Sequence, residues 1–153
     1  MGPGTFQLGG PPPQLHLLSN EWGHLMIQNA RLAVPHGILF LIDPTNVETI
    51  VPEHESGVLV ASTATCIAIG TQPDTDGEIA IDIGPGPLPT QGLAKRSTKT
   101  IHTPGGTVAL VTSHFQLVLE MAVPPGEAVV VIWTDDPVLP ARNAIEVEEH
   151  RPA

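Results

Sequence analysis

A strict alternation of apolar and polar residues in the segment Glu78–Ile83 constrains this chain most. Ile79, Ile81 and Ile83 stand at every second position, while Glu78 and Asp82 have the opposite parity. Successive side chains of a β-strand point to opposite faces, so this spacing gives one apolar face and one polar face. The segment therefore predicts a strand with one face in the core and one in water, as antiparallel sheets contain.

The same period continues elsewhere, most clearly over His114–Val123. Phe115, Leu117, Leu119, Met121 and Val123 are predicted to share one face, a pattern that excludes an amphipathic helix. Asn20 can cap a helix over the stretch that follows it, but Gly23 weakens that helix and a strand is preferred. The predicted strands are Leu15–Leu18, Leu25–Ala33, Gly37–Ile42, Val58–Ser62, Thr65–Ile69, Glu78–Ile83, Thr107–Thr112, His114–Val123, Ala128–Trp133 and Ala144–Glu148.

Short strands separated by Pro and Gly predict an all-β fold, an antiparallel β-sandwich of about eight to ten short strands, with a barrel as the alternative. Residues 1–14 are interpreted as a flexible Pro/Gly-rich arm and residues 15–153 as a single β-sandwich domain. Gly84–Gly106 is expected to be a long irregular loop, and loops of that length are usually functional or mobile.

The net charge of −10 limits the partners that the chain can have. Phosphate backbones repel such a surface, so direct nucleic-acid binding is disfavoured, and a basic protein is the expected partner. Aromatic residues make up only 3%, which argues against sugar-binding and base-stacking modules. A lone cysteine, no signal-peptide pattern and no long apolar run favour a cytoplasmic protein without a membrane segment.

Acidic residues fall in small groups along the chain, and seven of them are the candidate charged part of a partner-binding surface. Adjacent carboxylates such as Asp135 and Asp136 point to opposite faces of a strand, so they are a poor acid/base pair but a good negative spot. The seven candidates are Asp74, Asp76, Glu78, Asp135, Asp136, Glu146 and Glu148. The alternative is that the acidic residues serve ordinary solubility and bind no partner.

No catalytic residue, metal site or cofactor is predicted. Ser62 and Ser113 lie outside any nucleophile elbow, and Cys66 sits in an apolar run, where cysteine is usually a small buried hydrophobe. No two of the seven histidines have chelating spacing, although His36 and His114 can still converge in space. Asp74–Glu78 resembles the opening of a calcium loop, but an Asp-Gly turn explains it equally. The basic run Lys95–Lys99 can grip a phosphate or be a solvated turn.

Three segments resemble the competence protein J family, whose members inhibit a DNA-entry nuclease, and related bacterial immunity-type inhibitors. They are PHGILFLIDP at Pro35–Pro44, the strand pair and acidic turn of Ser56–Gly84, and FQLVLEMAVPPGEAVVVIWTDD at Phe115–Asp136. The resemblance implies a β-sandwich that binds another protein and has no active site of its own.

The sequence therefore predicts an acidic protein-binding module, an inhibitor or immunity-type protein acting by contact on a basic partner such as a nuclease. The alternative is a β-sandwich that binds a metal or a small molecule, with weak enzyme activity. Self-assembly into a homo-oligomer through edge strands stays open as a third hypothesis.

Overall fold

The computed structural model describes residues 27–53, 55 and 57–149. Ten strands occupy this part of the chain, joined by loops and by two 3-10 turns at Pro35–Gly37 and Asp74–Asp76. The strands are β1 (Gln28–Leu32), β2 (Ile38–Ile42), β3 (Val60–Ser62), β4 (Cys66–Gly70), β5 (Ile79–Gly84), β6 (Ala94–Thr103), β7 (Thr107–Thr112), β8 (Leu117–Ala122), β9 (Gly126–Thr134) and β10 (Arg142–Glu149). The predicted arm and the predicted strand Leu15–Leu18 lie outside the described residues.

The strands form two five-stranded sheets, so the predicted all-β sandwich is confirmed and the described residues form no closed barrel. The first sheet has the order β1-β5-β10-β9-β6, and the second has the order β3-β4-β2-β7-β8. Neighbouring strands are antiparallel except β5 and β10, which run parallel. The preferred strand interpretation of Leu25–Ala33 is also confirmed in its described part, where Gln28–Leu32 forms β1 and pairs with β5.

The core lies between the two sheets and consists of branched aliphatic side chains. Ile79, Ile81 and Ile83 all point into it and are fully buried or nearly so, which is the arrangement that their alternation predicts. Facing residues come from β2, β4 and β7, including Leu39, Leu41, Ile67, Ile69 and Leu110. Burial of each such side chain contributes about 1.5–3 kcal/mol to folding.

Two connections link strands that run in the same direction and therefore pass from one end of the sandwich to the other. β2 and β3 both run antiparallel to β4, so residues 43–59 must travel back from one end of the second sheet to the other. Ile50 fixes their course: its N–H donates to Thr65 Oγ1 at 2.8 Å and its carbonyl accepts from Thr63 Oγ1 at 2.6 Å. Residues 85–93 likewise return along the first sheet, from the end of β5 to the start of β6.

The prediction that all of Gly84–Gly106 is an irregular loop is wrong, because β6 lies within it. This strand is at the edge of its sheet and pairs only with β9, so most of its side chains face water and its sequence lacks apolar alternation. A register shift between Lys95 and Ser97 marks a bulge. A bulge and exposed lysines protect an edge strand from pairing with another chain.

The predicted single apolar face of His114–Val123 is only partly correct. The pairing with β7 shifts between Leu110 and Val111, which makes Val118 an extra residue and reverses the parity before it. Leu119 and Met121 therefore face the core, whereas Leu117 is 58% exposed. The strand also begins three residues later than predicted, at Leu117.

Candidate partner-binding surface

Five of the seven candidate carboxylates lie at one end of the sandwich, here called the His36 end. It consists of the connections at residues 35–37, 57–59, 71–78, 113–116 and 135–141, which join strand ends that the pairing registers bring together. A hydrogen bond from Gln72 N to the Pro140 carbonyl at 3.0 Å ties two of these connections to each other. The carboxylates at this end are Asp74, Asp76, Glu78, Asp135 and Asp136, all exposed.

The structure separates the other two candidates from this group. Glu146 lies on the outer face of the first sheet and is only 7% exposed. Its carboxylate accepts hydrogen bonds from Trp133 Nε1 at 3.0 Å and from Leu88 N at 2.9 Å, so it holds the 85–93 connection against the sheet. Glu148 is exposed but pairs with Val129 towards the opposite end.

Asp135 and Asp136 shape the connection that carries them. Asp136 Oδ2 accepts from Leu139 N at 2.9 Å and from Val138 N at 3.0 Å, and these backbone hydrogen bonds lower the pKa of its carboxyl group. Asp135 Oδ1 accepts from Ala141 N at 3.0 Å and from Arg142 N at 3.1 Å. The turn that results displays Val138 and Leu139, which are 46% and 52% exposed.

An open depression of about 380 Å³ lies at the His36 end. Its apolar walls come from Val58, Pro73, Val138 and Leu139, while His36 and Thr71 supply polar atoms. Asp74 follows the lining residue Pro73 directly, and Asp136 lies two residues before Val138. Apolar surface surrounded by charged side chains is the usual composition of a protein interface.

Two non-glycine residues of the described chain have positive φ, and both lie at this end. His36 has φ 60° and Phe115 has φ 59°. His36 packs edge-on against His114 with ring centroids 5.6 Å apart, which confirms that these two histidines converge. Phe115 stacks on Phe40 at 5.7 Å and remains 54% exposed. Positive φ costs of order 1–3 kcal/mol and is concentrated at functional positions.

Lysine and arginine of the described residues lie only on strands of the first sheet. They are Arg31 on β1, Lys95, Arg96 and Lys99 on β6, and Arg142 on β10. The sequence has no cation from residue 32 to residue 94, a stretch that includes β2, β3, β4 and the Asp74–Asp76 turn. The described strands of the second sheet therefore carry no lysine or arginine. At the His36 end, Arg31 Nε lies 4.0 Å from Glu78 Oε1 and Arg96 lies near Asp136, whereas no lysine or arginine among the described residues pairs with Asp74 or Asp76.

The basic run on β6 does not form one anion site. Lys95 pairs with Trp133 on the outer face of the first sheet, whereas Lys99 pairs with the core residue Val130. Arg96 donates from Nε to Thr134 Oγ1 at 3.0 Å and lies close enough to Asp136 to lower the pKa of that carboxyl group. Since the two lysines point to opposite faces, they cannot grip one phosphate.

The remaining candidate nucleophile and metal ligands do not form a reactive site among the described residues. Burial raises the pKa of the Cys66 thiol to about 12, and the side chain has no exposed surface. Among residues 27–53, 55 and 57–149, no three His, Cys, Asp or Glu side chains gather closely enough to hold a metal ion. A second open depression, of about 420 Å³, lies at the opposite end beside His102 and Glu127, whose side chains pair at 3.2 Å.

Sequence reasoning missed the apolar part of this surface. Val58, Phe115, Val138 and Leu139 were assigned to strands or to no site, yet all are at least partly exposed at the His36 end. The only local signal was the pair Val138-Leu139 between two prolines, outside any alternating segment. Alternation alone cannot show that an apolar residue after a strand end stays in water.

Comparison with known proteins finds similarity only at the level of structure. No family model matches the chain, and no curated protein matches it. A solved structure described as ComJ, inhibitor of the DNA degrading activity of NucA, from Bacillus subtilis, aligns with a TM-score of 0.58 at 12% identity, covering 82% of this chain and 99% of that chain. A second, described as Crocagin biosynthetic gene J, aligns with a TM-score of 0.47 at 10% identity, covering 82% and 97%.

The predicted resemblance to the competence protein J family is thus confirmed as a shared fold, which extends over almost the whole of the ComJ structure. In the described part of this chain, no helix has the length and apolar character needed to cross a membrane.

Proposed function

We propose that this chain is an inhibitor-type protein that acts by contact, binding a basic partner such as a nuclease through its His36 end. The observation that carries this proposal is the apolar depression lined by Val58, Val138 and Leu139, with exposed carboxylates in the adjoining residues. An apolar centre with a charged rim excludes water from the contact and gives it specificity.

The charge distribution supports a basic partner. The chain carries a net charge of −10, and the sequence that forms β2, β3, β4 and the Asp74–Asp76 turn contains no lysine or arginine. Such a surface attracts a positively charged protein and raises the association rate by about 10–10³-fold at low salt. Nucleases carry positive charge where they bind the phosphate backbone, so their clefts complement this surface.

The shared fold supports the inhibitor role more directly than charge does. ComJ, with which this chain shares its sandwich, inhibits the DNA-degrading activity of NucA. A protein that acts by contact needs a rigid, exposed surface rather than a catalytic group, and the His36 end supplies one. A specific contact requires about 800 Å² on each partner, so the depression must be joined by the surrounding connections of the His36 end.

Affinity capture tests the proposal. The tagged chain is expressed in its own host, the proteins that co-purify are identified, and each purified nuclease among them is assayed for DNA hydrolysis with and without the chain. We expect a basic nuclease to be captured and its rate to fall to below a tenth at equimolar inhibitor. Capture of no nuclease, or full hydrolysis in the presence of excess chain, would refute the role.

A charge-matched pair of variants locates the contact. Asp74→Asn with Asp76→Asn removes two charges at the His36 end, and Glu48→Gln with Glu148→Gln removes two charges towards the opposite end. We expect the first pair to slow association about tenfold or more at low salt and the second to change it less than twofold. Equal effects would show that only the total charge matters.

A further inference from the structure

The geometry points to a partner segment that presents one large apolar side chain beside a lysine or arginine. The apolar side chain enters the depression at the His36 end, and the neighbouring base pairs with Asp74 or Asp76. This inference rests on the proposed function and specifies the chemistry that the surface recognises.

The lining of the depression favours an apolar side chain as its occupant, and its volume is large enough to admit an aromatic one. Its volume of about 380 Å³ lies at the low end of the 300–1,000 Å³ that is usual for ligand sites. Its walls include Val58, Val138 and Leu139, three apolar side chains that no other part of the described chain covers fully. A buried anchor in a small apolar pocket is the arrangement that contributes most of the energy in protein interfaces.

Hydrogen bonds hold the walls of the depression in place before any partner arrives. Thr71 N donates to the Gly37 carbonyl at 2.8 Å, Gly70 N to the Leu59 carbonyl at 2.7 Å, and Gln72 N to the Pro140 carbonyl at 3.0 Å. The Asp136 carboxylate fixes the turn that carries Val138 and Leu139. A preformed pocket spends little conformational entropy on binding, so even one anchor gives measurable affinity.

The adjoining carboxylates decide which anchors are accepted. Asp74 and Asp76 follow Pro73 in the wall and are exposed, and the sequence around them has no cation of its own to neutralise them. Exposed ion pairs are worth about 0.2–1 kcal/mol each, so they select the charge beside the anchor while the apolar contact supplies most of the affinity. An acidic residue beside the anchor is repelled.

Three blocked peptides test this chemistry without any knowledge of the natural partner. Their sequences are Gly-Gly-Lys-Trp-Lys-Gly-Gly, Gly-Gly-Glu-Trp-Glu-Gly-Gly and Gly-Gly-Lys-Ser-Lys-Gly-Gly, titrated into ¹⁵N-labelled protein. We expect the Lys-Trp-Lys peptide to shift the amides of Val58, Thr71, Val138 and Leu139, and the other two peptides to bind at least tenfold more weakly. Equal binding of all three, or shifts confined to other residues, would overturn the inference.

Two matched truncations complete the test. Leu139→Ala removes part of the wall, and Ile50→Ala removes a comparable exposed side chain outside the depression. We expect Leu139→Ala to weaken the Lys-Trp-Lys peptide at least fivefold and Ile50→Ala to weaken it less than twofold. Equal weakening would overturn the pocket assignment.

The inhibitor role and the anchor pocket can be refuted separately. A nuclease inhibited equally by the wild type and by Leu139→Ala would overturn the anchor and leave the inhibitor role standing. Selective binding of the Lys-Trp-Lys peptide, together with capture of no nuclease, would support the pocket and refute the inhibitor role.

Discussion

The Glu146 carboxylate accepts a hydrogen bond from the Trp133 indole N–H at 3.0 Å, between the neighbouring strands β10 and β9. Its second oxygen accepts from Leu88 N at 2.9 Å, which brings the 85–93 connection onto the outer face of the first sheet. Leu88 is buried there. An acidic residue that the sequence suggested for partner binding thus stabilises the connection between β5 and β6.

We expect Glu146→Ala to lower the free energy of unfolding by about 2–4 kcal/mol, because it leaves one buried and one partly buried N–H donor without an acceptor. Glu146→Gln keeps one acceptor oxygen and should lose roughly half as much. Urea denaturation measures both. Glu148→Ala, on the same strand and exposed, is the control and should stay within about 0.5 kcal/mol of wild type. A loss no larger than that of the control would contradict the anchoring role.

A second buried carboxylate, Asp43, secures the opposite end of the sandwich. It has no exposed surface and accepts hydrogen bonds from Thr45 N, Thr45 Oγ1 and Gly105 N at 2.9, 2.8 and 2.7 Å. We expect Asp43→Ala to cost about 2–4 kcal/mol, measured against Glu48→Ala, which removes an exposed carboxylate nearby.

Gly105 provides an independent check on the same contact. A Cβ atom at this position would overlap the Thr45 hydroxyl, so Gly105→Ala should cost about 1–3 kcal/mol through displacement of Thr45. Gly57→Ala is a useful comparison, because a Cβ there meets nothing within 4 Å although φ is +85°. Thermal unfolding of both variants separates overlap from backbone strain, and equal losses would argue against overlap.

Asn143 offers a gain in stability. It is 1% exposed, and neither its amide nitrogen nor its amide oxygen has a hydrogen-bond partner among the described residues. Burial of an unpaired amide costs about 1–3 kcal/mol, so Asn143→Leu should raise the free energy of unfolding by about 1–2 kcal/mol. Calorimetry would show this as a higher Tm. A lower Tm would contradict this expectation.

Cys66 should be unreactive in the folded protein. Burial raises the pKa of its thiol from 9.0 to about 12, and only the thiolate attacks disulfide reagents. At pH 8 we expect modification at least about a hundredfold slower in the native than in the unfolded chain. Similar rates in both states would show that the thiol is accessible.

The same pKa shift has a consequence for stability at high pH. Between pH 9.0 and about 12 the unfolded chain releases the thiol proton while the folded chain keeps it. Because the unfolded state then binds fewer protons, stability falls as the pH rises through this range. The difference in unfolding free energy between wild type and Cys66→Ala should therefore decrease with pH, and a constant difference would contradict the shift.

Most strands could be predicted because the apolar pattern of each one is visible in its own sequence. Ile79, Ile81 and Ile83 alternate along β5, and the apolar run of β9 follows the turn signal Pro124-Pro125-Gly126. β6 escaped prediction because an edge strand with polar side chains has no apolar period. The reversal at Val118 escaped because a bulge depends on the partner strand β7, which is a property of the pair and not of β8 alone.

The candidate site likewise has a part that the sequence predicts and a part that only the fold assembles. Asp74, Asp76 and Glu78 were predicted to act together, and they are neighbours in the sequence. Asp135 and Asp136 join them because every strand runs from one end of the sandwich to the other, so turns about sixty residues apart meet. Glu146 is also acidic and lies on the outer face of its strand, so the sequence does not distinguish it from the exposed candidates. The 85–93 connection nevertheless covers it.

By itself the sequence determined the all-β fold class, the net charge of −10 and the absence of lysine and arginine from residue 32 to residue 94, because side-chain period and charge are local properties of a chain. Only the tertiary structure decided which carboxylates share an end, which of them is buried, and that Val58, Val138 and Leu139 line a depression beside them. Those relationships depend on strand register and on the course of the connections, and both are set by packing between segments that are distant in the sequence.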